Sequence, residues 1–285
     1  MTDIVKVCVT GASGKAGRAT VDELASSGFD VLAVDLVPAA TNVSFLRADL
    51  CDYGQTVEIL SHVDAVVHLA NIPAPGIHTP AVTFMRNTEM NANVFLGAAQ
   101  VGLQRVVWAS SETTLGLPFE TPPRYVPIDE DHFPYPTTTY ALSKVVGETL
   151  AAHVSQWSGI PFIGLRLSNI HTVADYEQVP GYWADPTSRM WNLWGYVDVR
   201  DAATAFRQAL EAPLTGVHNF IIAAADTIMN RPSIELVRAV FPEVTSTRAI
   251  GEFETLLSID AAGRSLGFKP RHSWRDHVAA VASPS

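Results

Sequence analysis

The sequence predicts an α/β fold, a doubly wound parallel sheet with a smaller C-terminal lobe. Three observations carry that prediction. Short β-branched runs alternate with helical segments from the start of the chain, runs such as "AVVHLA" are apolar along their whole length, and a glycine-rich turn joins the first run to the first helix. Strands joined by helices are linked by right-handed crossovers, which makes neighbours parallel and buries both faces of the sheet.

The elements follow in order. "KVCVT" (6–10) is a buried strand, "GRATVDELASSG" (17–28) an amphipathic helix stopped by a glycine, and "VLAVD" (31–35) a second strand. Then come "VSFLRADL" (43–50), "DAVVHLA" (64–70), a long helix over about 81–101, "RVVWASS" (105–111) and a helix over about 137–157. From about Asn169 the texture changes to an aperiodic stretch rich in aromatics, proline and glycine, which implies a loop-dominated cap. A helix (200–212), a strand (218–222), "RPSIELVRAVF" and a tail helix at "SIDAAGRSLGF" complete the pattern. The expected division is a nucleotide-binding domain over 1–168 and about 196–224, and a substrate-binding lobe over about 169–195 and 225–285, with a cleft between them.

Composition excludes several functions. With 47% hydrophobic and 17% charged residues the chain is an ordinary globular one, and a net charge of −10 without any lysine or arginine run argues against nucleic-acid partners. Cys8 and Cys51 stand alone in apolar segments, as small buried hydrophobes rather than a disulfide or metal pair. No apolar run approaches the roughly 20 residues that span a bilayer, and a strand pattern begins almost at Met1, so no membrane contact and a cytoplasmic location are expected. His68, His78 and His171 fit no short ligand spacing, and no metal is expected.

"TGASGKAG" (10–17) lies between the first strand and the first helix, and this makes the fold Rossmann-type. Gly11 permits the tight turn, Gly14 lets the backbone approach a pyrophosphate, and Gly17 lets helix pack on sheet; Ser13, Lys15 and Ala16 share the loop. Unpaired amides at the helix start would face the phosphates. Asp35 ends the next strand 18 residues beyond Gly17, where a carboxylate accepts from the adenosine ribose and repels a 2′-phosphate. Leu36 and Val37 add no cation, so NAD is expected rather than NADP. In "TTTYALSKVVGE" (137–148), Tyr140 and Lys144 stand four apart and share one helical face.

These motifs, with "ADL" (48–50), "HLA" (68–70), "ASSETTLG" (109–116), "YVDVRDAA" (196–203) and the closing "LGFKPRHSW", make the chain resemble the extended short-chain dehydrogenase/reductases, the NAD-dependent epimerase/dehydratase family, over most of its length. The resemblance implies that Tyr140 is the catalytic acid/base, that Lys144 lowers its pKa and holds the nicotinamide ribose, and that Ser111 orients the substrate oxygen. A free phenol titrates near ~10, so neighbouring positive charge is what would let it act near neutrality. It further implies that Asp49 and Leu50 flank the adenine, that Leu69, Ala70, Asn71 and Ser110 adjoin the cofactor, and that Asn87 supports the active site.

For the substrate, Asn169 matches the asparagine that closes on it, and Arg189 is similar in placement to an arginine that holds a carboxylate in uronate dehydrogenases. Glu112 works against that, because a carboxylate discourages an anionic neighbour, and Pro73 departs from the same subgroup. Trp183, Trp191 and Trp194 are expected in the lobe's core. The expected function is hydride transfer between a sugar-like secondary alcohol and NAD; the alternatives are a sugar or nucleotide-sugar epimerase with tightly held NAD and a silent NAD-binding regulator. Glu112 followed by Thr113 departs from the Asp–Glu pair of the dehydratases. The resemblance also implies a homodimer, since the family often pairs through two long helices, here 81–101 and 137–157.

Overall fold

The computed structural model describes residues 4–38, 40–117 and 121–278. In chain order the regular elements are β1 (Lys6–Thr10), α1 (Lys15–Ser26), β2 (Asp30–Asp35), β3 (Ser44–Arg47), α2 (Tyr53–Leu60), β4 (Ala65–His68), α3 (Pro80–Val101), β5 (Arg105–Ser111), β6 (Tyr125–Val126) and α4 (Thr139–Ser158). There follow β7 (Phe162–Leu167), β8 (Ile170–His171), β9 (Val197–Asp198), α5 (Val199–Glu211), β10 (Val217–Ile222), α6 (Ser233–Val240), β11 (Thr245–Ser246) and α7 (Asp260–Leu266).

Seven of the strands form one parallel sheet in the order β10-β7-β5-β4-β1-β2-β3. The direction of winding reverses between β1 and β4, and the carboxyl ends of strands at such a switch point open a crevice for a ligand. α1, α5 and α7 cover one face through Leu24, Phe206 and Leu266. α2, α3 and α4 cover the other through Leu60, Phe95 and Val154. This is the Rossmann-type sheet expected from the alternating pattern.

Besides the two-residue strands, two elements went unread in the sequence. β7 is buried at every residue, yet Arg166 interrupts its apolar run and disguises it; the guanidinium is buried because the Glu148 carboxylate of α4 receives it, at 2.9 Å from both Nε and Nη2. α2 is a short helix set by a local cap, in which the Asp52 carboxylate accepts the Gln55 amide at 3.0 Å. The run 43–50 keeps only four residues of strand, because β3 is the sheet's edge and only Phe45 of its side chains is even half-buried.

The aperiodic stretch after Asn169 is a chain of 3-10 turns, the longest over Val173–Tyr182, with the two-residue pair β8 and β9. Trp183 and Trp194 lie in the lobe's core as expected, whereas Trp191 lines the cleft. That core also takes Leu115, Leu117, Val126 and Ile128 from before residue 168, while α7 and Phe268 pack on the sheet. Among the described residues no helix is long and apolar enough to cross a membrane.

Candidate active site

A cleft of about 670 Å³ runs along the carboxyl ends of β1, β2, β4, β5 and β7 and beneath the lobe. It is lined by the expected Gly11, Gly14, Lys15, Ala16, Gly17 and Asp35 at one end. Leu50, Leu69, Ala70 and Asn71 lie along its length, and Ser110, Ser111, Glu112, Tyr140, Lys144 and Asn169 line the other end. Ser13, Asp49, Asn87 and Arg189 are not in its lining. A larger hollow, about 1220 Å³, opens at the amino ends of the strands and holds none of these residues. Its one buried cation, Arg105, is engaged by the last carbonyls of α5, with Leu210 O at 2.6 Å.

The glycine loop is shaped by backbone contact. Gly11 adopts φ 68°, and a Cβ there would lie 2.5 Å from the Ala70 amide nitrogen; a Cβ on Gly17 would lie 2.0 Å from the Gly11 carbonyl oxygen. α1 begins at Gly14 without a side-chain cap, so the amides of its first turn open to the cleft. Asp35 accepts the Ser13 amide at 3.0 Å and the Val37 amide at 3.1 Å, while the Ser13 hydroxyl donates to the Val37 carbonyl. Ser13 thus shapes the pocket through Asp35. Lys15 crosses the cleft's mouth to Asp175 of the lobe, 2.8 Å away.

These residues fit a dinucleotide. An uncapped helix start would take the diphosphate, a carboxylate at the end of β2 would take a ribose, and apolar Leu50 and Ala48 would flank a base. Asp49 turns instead to the Cys51 amide at 2.9 Å, and Asn87 clamps Ile72, accepting its amide at 2.8 Å and donating to its carbonyl at 3.2 Å. The asparagine therefore holds the chain beyond β4 without lining the cleft.

At the closed end α4, capped by Thr138 on the Ala141 amide, presents Tyr140 and Lys144 to β5. The Ser111 oxygen accepts from the Thr113 amide and hydroxyl, at 3.2 and 2.9 Å, which leaves its own proton free to donate. Burial pushes the Tyr140 phenol up to about 12, against the Ser111 hydroxyl and Asn71 side chain that favour its anion, while Glu112 opposes the anion. The Lys144 ammonium donates to the Ala109 carbonyl at 2.6 Å and stands 5.6 Å from the Tyr140 ring centroid. Burial lowers its pKa to about 7, and the Glu148 charge resists that fall. The lysine expected to tune the phenol thus rests on backbone, and burial dominates both groups.

The sequence reading missed the groups behind these residues. Glu148 ties α4 to Arg166 of β7 and accepts the Ser110 hydroxyl at 2.7 Å. Thr10, His68 and Asn91 form a buried chain across β1, β4 and α3, at 2.7 and 3.1 Å. Burial lowers His68 to about 3, so it serves there as a neutral hydrogen-bonding group. The spacing of Glu148 four residues after Lys144, on the same helical face, was the available signal.

Toward the lobe, Asn169 accepts from Arg189 at 3.1 Å and pairs with the His171 ring at 2.7 Å. The Arg189 guanidinium packs on Tyr182 and Trp191, 5.3 and 4.9 Å from their centroids. Glu112, only 3% exposed, receives the Asn192 amide at 3.2 Å. Several buried polar atoms here lack a well-formed protein hydrogen bond, among them Asn71 Oδ1, Glu112 Oε2, His171 Nδ1, Arg189 Nε and Asn192 Oδ1. Buried polar groups are rarely left so unless a ligand or water completes them.

Comparison with known proteins agrees with this geometry. The model of the NAD dependent epimerase/dehydratase family matches residues 7–225. The chain belongs to that family, and it is an NAD-dependent enzyme. It is 26% identical to the UDP-glucose 4-epimerase of Lacticaseibacillus casei, across 97% of this chain and 95% of that one. It is also 26% identical to the NAD-dependent glucose-6-phosphate dehydrogenase of Haloferax volcanii, across 82% and 90%. The crystal structure of UDP-N-acetylglucosamine 4-epimerase from Bacillus cereus shares the fold, with a TM-score of 0.73 at 18% identity over 96% of both chains.

Proposed function

We propose that this enzyme moves hydride between a secondary alcohol of a sugar-like substrate and NAD. The observation that carries the reading is the meeting of the Ser111 hydroxyl and Tyr140 phenol at the buried end of the cleft, beside polar atoms that lack partners. A polyhydroxylated ligand would supply those partners.

NAD, when bound, supplies the hydride acceptor and a ring charge that favours a neighbouring anion. The loop 11–17, Asp35, Leu50, Leu69, Ala70 and Asn71 would hold it. Ser111 donates to the substrate oxygen and orients it. Tyr140 takes the hydroxyl proton as the hydride leaves the same carbon. Lys144 keeps positive charge beside the phenol, and Glu148 helps keep that lysine protonated.

An epimerase that holds NAD is the second reading, favoured by the near full-length match to the UDP-glucose 4-epimerase of Lacticaseibacillus casei. Weighing against a nucleotide diphosphate, the stretch 170–195 contains one cation, Arg189, already engaged by Asn169 and two rings. A cytoplasmic enzyme is consistent with this chemistry. Pairing of two copies through α3 and α4 is consistent with outward Met85 and Trp157, each 64% exposed.

The test adds NAD and a panel of free sugars, sugar acids and nucleotide sugars to the purified protein, with Tyr140→Phe alongside. The expected outcome is NADH that accumulates with one sugar class and vanishes in the variant. NAD found already bound, with a sugar converted to its epimer and no net NADH, would replace this reading by the second. A silent binding protein would show NAD affinity and no reaction on any substrate.

A further inference from the structure

We infer that the Glu112 carboxyl, seated on the Asn192 amide, is the specificity-determining group of the substrate pocket, and that it selects a sugar presenting a neutral hydroxyl over the same sugar presenting a carboxylate. The inference deepens the reading above and rests on it. Glu112 follows Ser111 directly, in the 3-10 turn Glu112–Leu115, so it is delivered to the pocket by the same strand end as the hydroxyl that orients the substrate. It lines the cleft while almost wholly buried.

The geometry around it is one-sided. Oε1 accepts from Asn192 Nδ2, and that same nitrogen donates to the Gly195 carbonyl at 2.8 Å. Both amide protons are thereby used, which fixes the orientation of a side chain that is fully buried. The Ser168 hydroxyl and the Asn169 backbone stand beside the carboxylate and favour its anion, although neither Oε2 nor the Ser168 hydroxyl makes a well-formed hydrogen bond. Both atoms are closed to solvent, so a substrate in the cleft meets Glu112 through its field, and a hydroxyl brings no charge to oppose it. A substrate carboxylate only accepts, and it would meet like charge where little water can screen it.

The nearest cation does not reach the cleft. Arg189 donates to Asn169, packs 5.3 and 4.9 Å from two ring centroids and is absent from the cleft's lining, although its Nε lacks a protein partner. Its charge faces Glu112 and steadies that carboxylate, against a burial that raises the Glu112 pKa to about 7. A pocket whose own charges offset one another suits a neutral ligand.

The test uses matched pairs that differ only in the terminal arm: an aldose and its uronic acid, free and linked to UDP. Each is titrated into the NADH-loaded protein by calorimetry at about pH 8, above the Glu112 range, and each is assayed with NAD for kcat and KM. The neutral member should bind at least about tenfold more tightly. Glu112→Gln should narrow that ratio to within about threefold, by tightening the acid and lowering its KM. Preference for the acid, a ratio that the substitution leaves unmoved, or binding by no member would overturn the inference. If Glu112→Gln does not fold, the wild-type ratio carries the test. A neutral preference with no hydride reaching NAD would sink the oxidoreductase reading and leave this one standing, whereas NADH formation with an unmoved ratio would do the reverse.

Discussion

The two ends of the cleft are built in different ways. At the cofactor end the shape is backbone: Gly11 and Gly17 press against neighbouring main chain, and Asp35 is held by the Ser13 and Val37 amides. At the substrate end the shape is side chain, supplied by Asn71, Glu112, Ser168, Arg189 and Asn192 from separate segments, and polar atoms there lack partners. The cofactor end leaves only the first-turn amides of α1 open, whereas the substrate end leaves several side-chain polar atoms without a well-formed hydrogen bond. Such an arrangement lets one scaffold keep its cofactor site while the substrate changes.

The largest expected effect lies behind the catalytic residues, where Glu148 ties α4 to β7. Glu148→Ala leaves the Arg166 guanidinium buried without its partner, and should cost about 3–5 kcal/mol in urea denaturation. A second test sits at the substrate end. Because the folded-state pKa of Glu112 lies above its ordinary value, the native protein binds the extra proton, and that contribution is fully present below pH 4.5 and is lost as pH rises through about 7. Wild-type stability should therefore fall across this window by up to about 3 kcal/mol relative to Glu112→Gln.

Smaller effects belong to the cofactor end. Asp35→Ala should weaken NAD about tenfold in a fluorescence titration while leaving the affinity of a bound sugar nearly unchanged. Asp175→Ala opens the exposed link from Lys15 to the lobe, and should speed NAD release by a few-fold at most, since such pairs are worth about 0–1 kcal/mol. A large effect of Asp175→Ala on sugar affinity would erase the division between the ends.

The same contrast explains what was legible in the sequence. The glycine loop and Asp35 work through backbone conformation and order along the chain, both of which a sequence displays. Tyr140 and Lys144 were legible as a pair because helical spacing puts them on one face, while their roles and that of Ser111 came from the family resemblance. Asn192 and Ser168 were not legible, since both act on Glu112, which is distant in sequence; Asn192 meets it 80 positions away. Arg166 concealed β7, because a charge inside a strand suggests a loop until its partner Glu148 is seen. Arg189 was visible as a cation, but only packing reveals that aromatic rings and Asn169 already hold it.

The central claim is that Tyr140 moves the proton in a cleft whose cofactor end stands independently of it. The most direct measurement compares wild type with Tyr140→Phe for NAD affinity and for NADH formed with the best sugar of the panel. The account predicts affinity within about threefold and a rate lower by about 10²–10⁴. A variant that still forms NADH at a wild-type rate would contradict it.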